Sequence, residues 1–101
     1  MMLSIDFNIA YRQAGEMADC ADEINHQSKK LENIINETRI AWQGDVSAAY
    51  IKKLEALGGQ MQADSVKCRG EAVAFRMKID EIKRMEEEAA LAIAGAAEES
   101  V

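Results

Sequence analysis

Two cysteines, a single histidine and several paired carboxylates are the side chains here that could carry out chemistry. Cys20 and Cys68 form no C-x-x-C pair and His26 stands alone, so the pattern of a metal site is missing. Asp22 and Glu23 lie near His26 in sequence, but no serine or cysteine nucleophile is arranged with them as a triad. Asp80 and Glu81 are adjacent, which on a helix points them in different directions. Glu86-Glu87-Glu88 reads as a solvated helix face, and Gly58-Gly59 has no preceding strand that would make it a phosphate loop. The methionines (Met1, Met2, Met17, Met61, Met77 and Met85) are dispersed and read as termini or gap-filling core residues. No enzyme activity, catalytic residue, cofactor or metal is expected.

The elements that position these residues follow from periodicity. Small or apolar residues recur at alternating spacings of three and four along Phe7, Ala10, Ala14, Met17, Ala21, Ile24, Ser28, Leu31, Ile35, Thr38 and Trp42. The same spacing returns over Ile51, Leu54, Gly58, Met61, Ser65, Cys68, Ala72, Phe75, Ile79, Ile82, Glu86, Ala89 and Ile93. Between the two stripes stands Trp42-Gln43-Gly44, which holds the only tryptophan. Two helices joined by a short glycine turn make an antiparallel hairpin. The expectation is one all-α domain over 1–101: helix 1 over about 6–41, a turn at 42–45, helix 2 over about 46–94 and a disordered tail at 95–101. Ser4 or Asp6 can cap the first helix and Asp45 the second. Gly44 can take the left-handed conformation that ends a helix. Helix 2 is expected to pass through Gly58-Gly59 unbroken, with a soft spot there.

Composition narrows the partners. The chain has 101 residues, no proline, 5% aromatic and 30% charged residues, and no period-two run of the kind strands need. Its net charge is -6 and its pI about 4.8, which argues against nucleic acid. Lys67, Arg69, Arg76, Lys78, Lys83 and Arg84 make the middle of helix 2 basic, while Asp6, Glu16, Asp19, Asp22, Glu23, Glu32 and Glu37 make helix 1 acidic. That arrangement reads as self-complementarity rather than a phosphate site. The start of the chain lacks a basic segment followed by a long apolar core. The longest apolar stretch, residues 89–97, is alanine-rich and too short to span a bilayer. The chain is expected to be made in the cytoplasm, and any export must proceed without a cleaved signal peptide.

A hairpin bent at Gly44 puts Cys20 and Cys68 at one height, among small residues: Gly15, Ala18 and Ala21 on one helix, Gly70, Ala72 and Ala74 on the other. A disulfide needs Cα atoms within ~7 Å, and close-packed backbones could supply that. The preferred reading is two buried thiols acting as small apolar side chains. The candidate core and dimer stripe is Phe7, Met17, Ile24, Leu31, Ile35, Ile51, Leu54, Met61, Phe75 and Ile79. Tyr11, Ile34, Tyr50, Leu57, Met77 and Met85 flank it, making the apolar face wider than two helices use. Such a face suits a four-helix bundle formed by two hairpins, identical or related.

With these residues in place, the chain resembles the WXG family, the small early-secreted-antigen-like substrates of type VII (ESX-like) secretion in Gram-positive bacteria and mycobacteria. A bare W-x-G is common by chance. Its position at mid-chain, between two helices and followed by Asp45-Val46-Ser47-Ala48-Ala49-Tyr50, makes it specific, and the resemblance covers nearly the whole chain. It implies a hairpin that dimerises into a four-helix bundle and is exported folded. Trp42 carries over as the bend tryptophan and Gly44 as the tight-turn glycine, near a groove proposed to contribute to recognition by the secretion ATPase. The family's Y-x-x-x-[DE] export signal is absent, since no tyrosine follows Tyr50. The looser form, an apolar residue, an acid and two further apolar residues, is matched by Ile82, Glu86, Ala89 and Ile93, a spacing any amphipathic helix also gives.

The leading functional reading is therefore a non-enzymatic, secreted helical homodimer. An accessory chaperone that covers the helical N-terminal domain of a larger type VII effector is the second. A membrane-active virulence factor is the third, supported only by the alanine-rich stretch and the basic middle of helix 2.

Overall fold

The computed structural model describes residues 5–42 and 44–99 and contains a helical hairpin of two elements. Helix α1 spans Phe7–Ala41 and helix α2 spans Asp45–Glu99. Asp6 starts α1: its backbone is extended and its Oδ1 accepts from the Ile9 amide at 3.2 Å. That bond satisfies one of the donors a helix start leaves open. Ser4, the other candidate cap, lies outside the described residues.

At the far end the backbone of Trp42 swings to an extended conformation (φ -118, ψ 132) while its amide still donates to Thr38 O at 2.8 Å. Gly44 then takes φ +119, a region that an L side chain rarely enters, and its carbonyl accepts from the Ala48 amide at 3.1 Å. The Ser47 hydroxyl donates back to the Trp42 carbonyl at 3.1 Å, tying the first turn of α2 to the end of α1. Among the described residues, the left-handed Gly44 and the Ser47 tie mark the reversal of the chain after the tryptophan.

The helices run side by side in a rod of 86 × 16 × 15 Å. Their contact line is built from alanine, serine and isoleucine. Ala14, Ala21, Ser28 and Ile35 are buried on α1, and Ser47, Ile51, Ser65, Ala72 and Ile79 on α2. Small residues let the backbones come close: Ser65 Oγ donates to the Ala21 carbonyl at 2.7 Å, and Cys68 Sγ to the Met17 carbonyl at 3.6 Å. Among the described residues no large side chain is fully buried, so the seam is tight but carries little apolar volume.

Two boundaries differ from the sequence reading. Helix α2 begins one residue earlier, at Asp45, and continues to Glu99. Residues 95–99, expected as a disordered tail, are helical; residues 100 and 101 lie outside the described residues. Alanine has the highest helix propensity, and nothing in this stretch except Gly95 opposes continuation. With 35 residues in α1 and 55 in α2, about 20 residues of α2, ~30 Å of helix, reach past the start of α1. Helix α2 also passes through Gly58-Gly59 without a break.

A Cβ placed at Gly59 would meet nothing within 4 Å, and Gly59 sits in mid-helix. Gly59→Ala is expected to raise stability by ~0.5–1 kcal/mol. Gly44→Ala, forced to φ +119, is expected to lower it by ~1 kcal/mol or more. Urea unfolding at one fixed protein concentration measures both, and equal effects of the two substitutions would contradict the turn geometry.

Candidate interaction face

The contact line divides each helix into two flanks of opposite character. Four residues before Ala14, Ala21, Ser28 and Ile35 stand Ala10, Met17, Ile24 and Leu31 on α1, and four residues before Gly58, Ser65, Ala72 and Ile79 stand Leu54, Met61, Cys68 and Phe75 on α2. Three residues before the same positions stand Tyr11, Ala18, Asn25 and Glu32 on α1, and Glu55, Gln62, Arg69 and Arg76 on α2. On a helix these two sets lie on opposite sides of the contact line. In an antiparallel pair, equivalent positions of the two helices fall on the same side of the hairpin. One broad side is therefore apolar and the other polar.

The polar side holds the cross-helix pairs that involve a carboxylate among the described residues. The Arg69 guanidinium pairs with Asp22, Arg39 pairs with Glu55, and the Tyr11 hydroxyl donates to Asp80. Arg76 and Lys83 each lie 5.8 Å from the Tyr11 ring centre. The hydrogen bond to Asp80 holds the Tyr11 phenol above its ordinary range, with desolvation and the Asp80 charge acting in the same direction and Arg76 opposing. These ion-pair side chains are about half exposed, so each is worth ~0–1 kcal/mol and fixes register more than stability. The Arg69–Asp22 pair joins the basic middle of α2 to acidic α1. Lys78–Glu81 and Arg84–Glu88 pair within α2, and Arg12–Glu16 within α1.

The apolar side is where the hairpin is incomplete. Phe7, Met17, Ile24, Leu31, Leu54 and Met61 are only half-buried, and Phe75 is 36% exposed. Further out on the same side, Ile34 and Leu57 are each 51% exposed and Tyr50 is 53% exposed. Ile35, Ile51 and Ile79 are buried at the contact line itself. The sequence reading grouped Tyr11 and Met77 with the flanking apolar residues. Tyr11 instead belongs to the polar side through its bond to Asp80, and Met77 is exposed, two residues before Ile79 and so turned away from α1. Val66 and Val73 are exposed apolar residues on the polar flank.

Trp42 does not plug a core. It is 57% exposed, with its ring 6.3 Å from that of Tyr50 and tilted by 31°. The indole and phenol form an aromatic pair at the bend end of the apolar side. At the other end, Ile82 and Glu86 are half-buried while Ala89 and Ile93 are exposed on the overhang. Glu86 Oε1 is shielded and finds no hydrogen-bond partner among the described residues. Phe7, Lys83, Glu87 and Ala90 surround a shallow hollow beside it.

Cys20 is exposed and Cys68 half-buried, and both are free thiols. No disulfide joins them, and the reading of two buried thiols fails for Cys20, which stands one residue off the contact line. His26 is exposed. Among the described residues no three His, Cys, Asp or Glu side chains gather as metal ligands, and no helix is long and apolar enough to cross a membrane. Comparison with models of known families, with curated proteins and with solved structures finds no match to this chain.

The Tyr11 bond has a pH signature. A raised phenol pKa in the folded chain means that the contact stabilises the hairpin below the ordinary tyrosine value of 10.0 and loses its effect as pH rises through the raised value. In a Tyr50→Phe background, Asp80→Asn is expected to move the Tyr11 titration downward, read by phenolate absorbance. An unchanged titration would contradict the contact.

Proposed function

We propose that this chain is a non-enzymatic helical hairpin that pairs with a second copy across its apolar side to form a four-helix bundle, and that type VII secretion exports the folded dimer. The observation that carries the reading is the division of the hairpin into one ion-paired side and one side of half-covered Met17, Ile24, Leu31, Leu54, Met61 and Phe75. A lone hairpin leaves this side wet. Two hairpins stacked on it cover both copies at once, because a two-fold pairing presents the same residues to each other. Burial at ~25 cal/mol per Å² then supplies stability that the small-residue seam cannot.

The export part rests on the W-x-G bend and on the overhang. Trp42 and Gly44 stand at the reversal, as the resemblance to the WXG family implies. Ile82, Glu86, Ala89 and Ile93 run from the last turns packed on α1 out onto the part of α2 that extends past the start of α1. An amphipathic helix end that extends past its neighbour suits docking in a groove of the secretion ATPase.

Two tests separate the parts. In a bacterium with an active type VII system, Glu86→Ala or removal of the residues after Ile82 is expected to reduce extracellular protein at least tenfold with the cellular level intact. Unchanged export of both variants would overturn the signal. Mixing the purified chain with the products of neighbouring genes addresses the accessory role. A stable dimer of the chain alone supports the present reading, whereas pairing only with a neighbour's helical domain supports the chaperone reading.

A further inference from the structure

The two thiols stand beside two contacts at which a side chain of α2 reaches a carbonyl of α1. One turn before Cys20, the Met17 carbonyl is within 3.6 Å of Cys68 Sγ. One residue after Cys20, the Ala21 carbonyl accepts from Ser65 Oγ at 2.7 Å, and Ser65 is one turn before Cys68. Cys20 is thus bracketed by two points at which a side chain of α2 reaches the main chain of α1. Such contacts require the backbones to approach as small residues permit, and the alanines at 14, 18, 21 and 72 supply that approach. The two cysteines also lie on the same broad side of the hairpin, Cys68 four residues before Ala72 and Cys20 one residue before Ala21. Burial pushes the Cys68 thiol up, and Cys20 acts on it in the same direction, both as a charge and as a hydrogen-bond partner.

We infer that Cys20 and Cys68 are a redox pair, free in a reducing compartment and closed into an intramolecular disulfide that staples α1 to α2 when a small-molecule disulfide is in excess. Cys20, the exposed member, attacks one sulfur of a disulfide such as oxidised glutathione. A mixed disulfide forms on Cys20, and the first small thiol leaves. Cys68, as thiolate, then attacks the Cys20 sulfur and expels the second small thiol. Both cysteines together lose two electrons and two protons, and the small disulfide gains them as two thiols. The closed bridge ties the hairpin at its open half, far from the bend, where otherwise only side-chain contacts hold the helices together. It also removes the exposed thiol from the apolar side. The inference needs neither export nor pairing, so it can fail without them and they can fail without it.

The test incubates the full chain in buffers spanning reduced to oxidised glutathione, alkylates free thiols and measures intact mass and peptide maps. The expected oxidised species is a single chain lighter by two hydrogens, with the Cys20 and Cys68 peptides joined, no alkylation and a melting temperature above that of the reduced chain. Cys20→Ser and Cys68→Ser are each expected to abolish the species and the shift while leaving the reduced chain folded. Three results would overturn the inference: thiols that stay free in excess oxidised glutathione, stable glutathione adducts that never resolve, or cross-links only between chains.

Discussion

Everything in this hairpin follows from how closely its two helices lie. Along the middle of the contact line stand alanine and serine, with isoleucine at Ile35, Ile51 and Ile79 nearer its two ends, so there the backbones approach until hydroxyl and thiol groups of α2 touch carbonyls of α1. Apart from these three isoleucines, the seam buries no large side chain among the described residues. Methionine, leucine, isoleucine and phenylalanine are pushed to positions beside it, where one helix covers them halfway. Close packing inside the hairpin and an uncovered apolar side outside it are the same fact seen from two directions.

Charge decides which side stays uncovered. The cross-helix pairs of Asp22, Arg39, Glu55, Arg69, Tyr11 and Asp80 share one flank. Each is weak because it is open to water. Together they favour a single register and keep the polar flank hydrated, while the opposite flank keeps its half-covered apolar side chains. The overhanging end of α2 is a separate consequence of length. The shorter α1 lets the last turns of α2 extend past its start, and alanine propensity favours their staying helical.

Much of this was legible in the residue spacing. The three-four stripe located both helices, the bend and the contact line, because helix period and burial read the same letters. The division into flanks was also present in the spacing, since Met17, Ile24 and Leu31 alternate with Asn25 and Glu32. It became clear only when the register of α1 against α2 placed equivalent flanks together. Tyr11 was misleading because a phenol serves equally as an apolar body or a hydrogen-bond donor, and only the position of Asp80 across the seam decides. Trp42 falls on the stripe by period, yet the backbone leaves the helix at that residue and the indole turns outward toward Tyr50. The cysteines were placed at one height correctly, but burial cannot be read from height, and Cys20 lies on the rim.

The claim that a second copy closes the apolar side is tested most directly by sedimentation equilibrium of the reduced, full-length chain across the micromolar range. The account expects a mass of twice 11.2 kDa that falls toward the single-chain value on dilution, with helix content and melting temperature falling alongside. A mass of 11.2 kDa at every concentration, with a sharp melting transition that does not move on dilution, would contradict it.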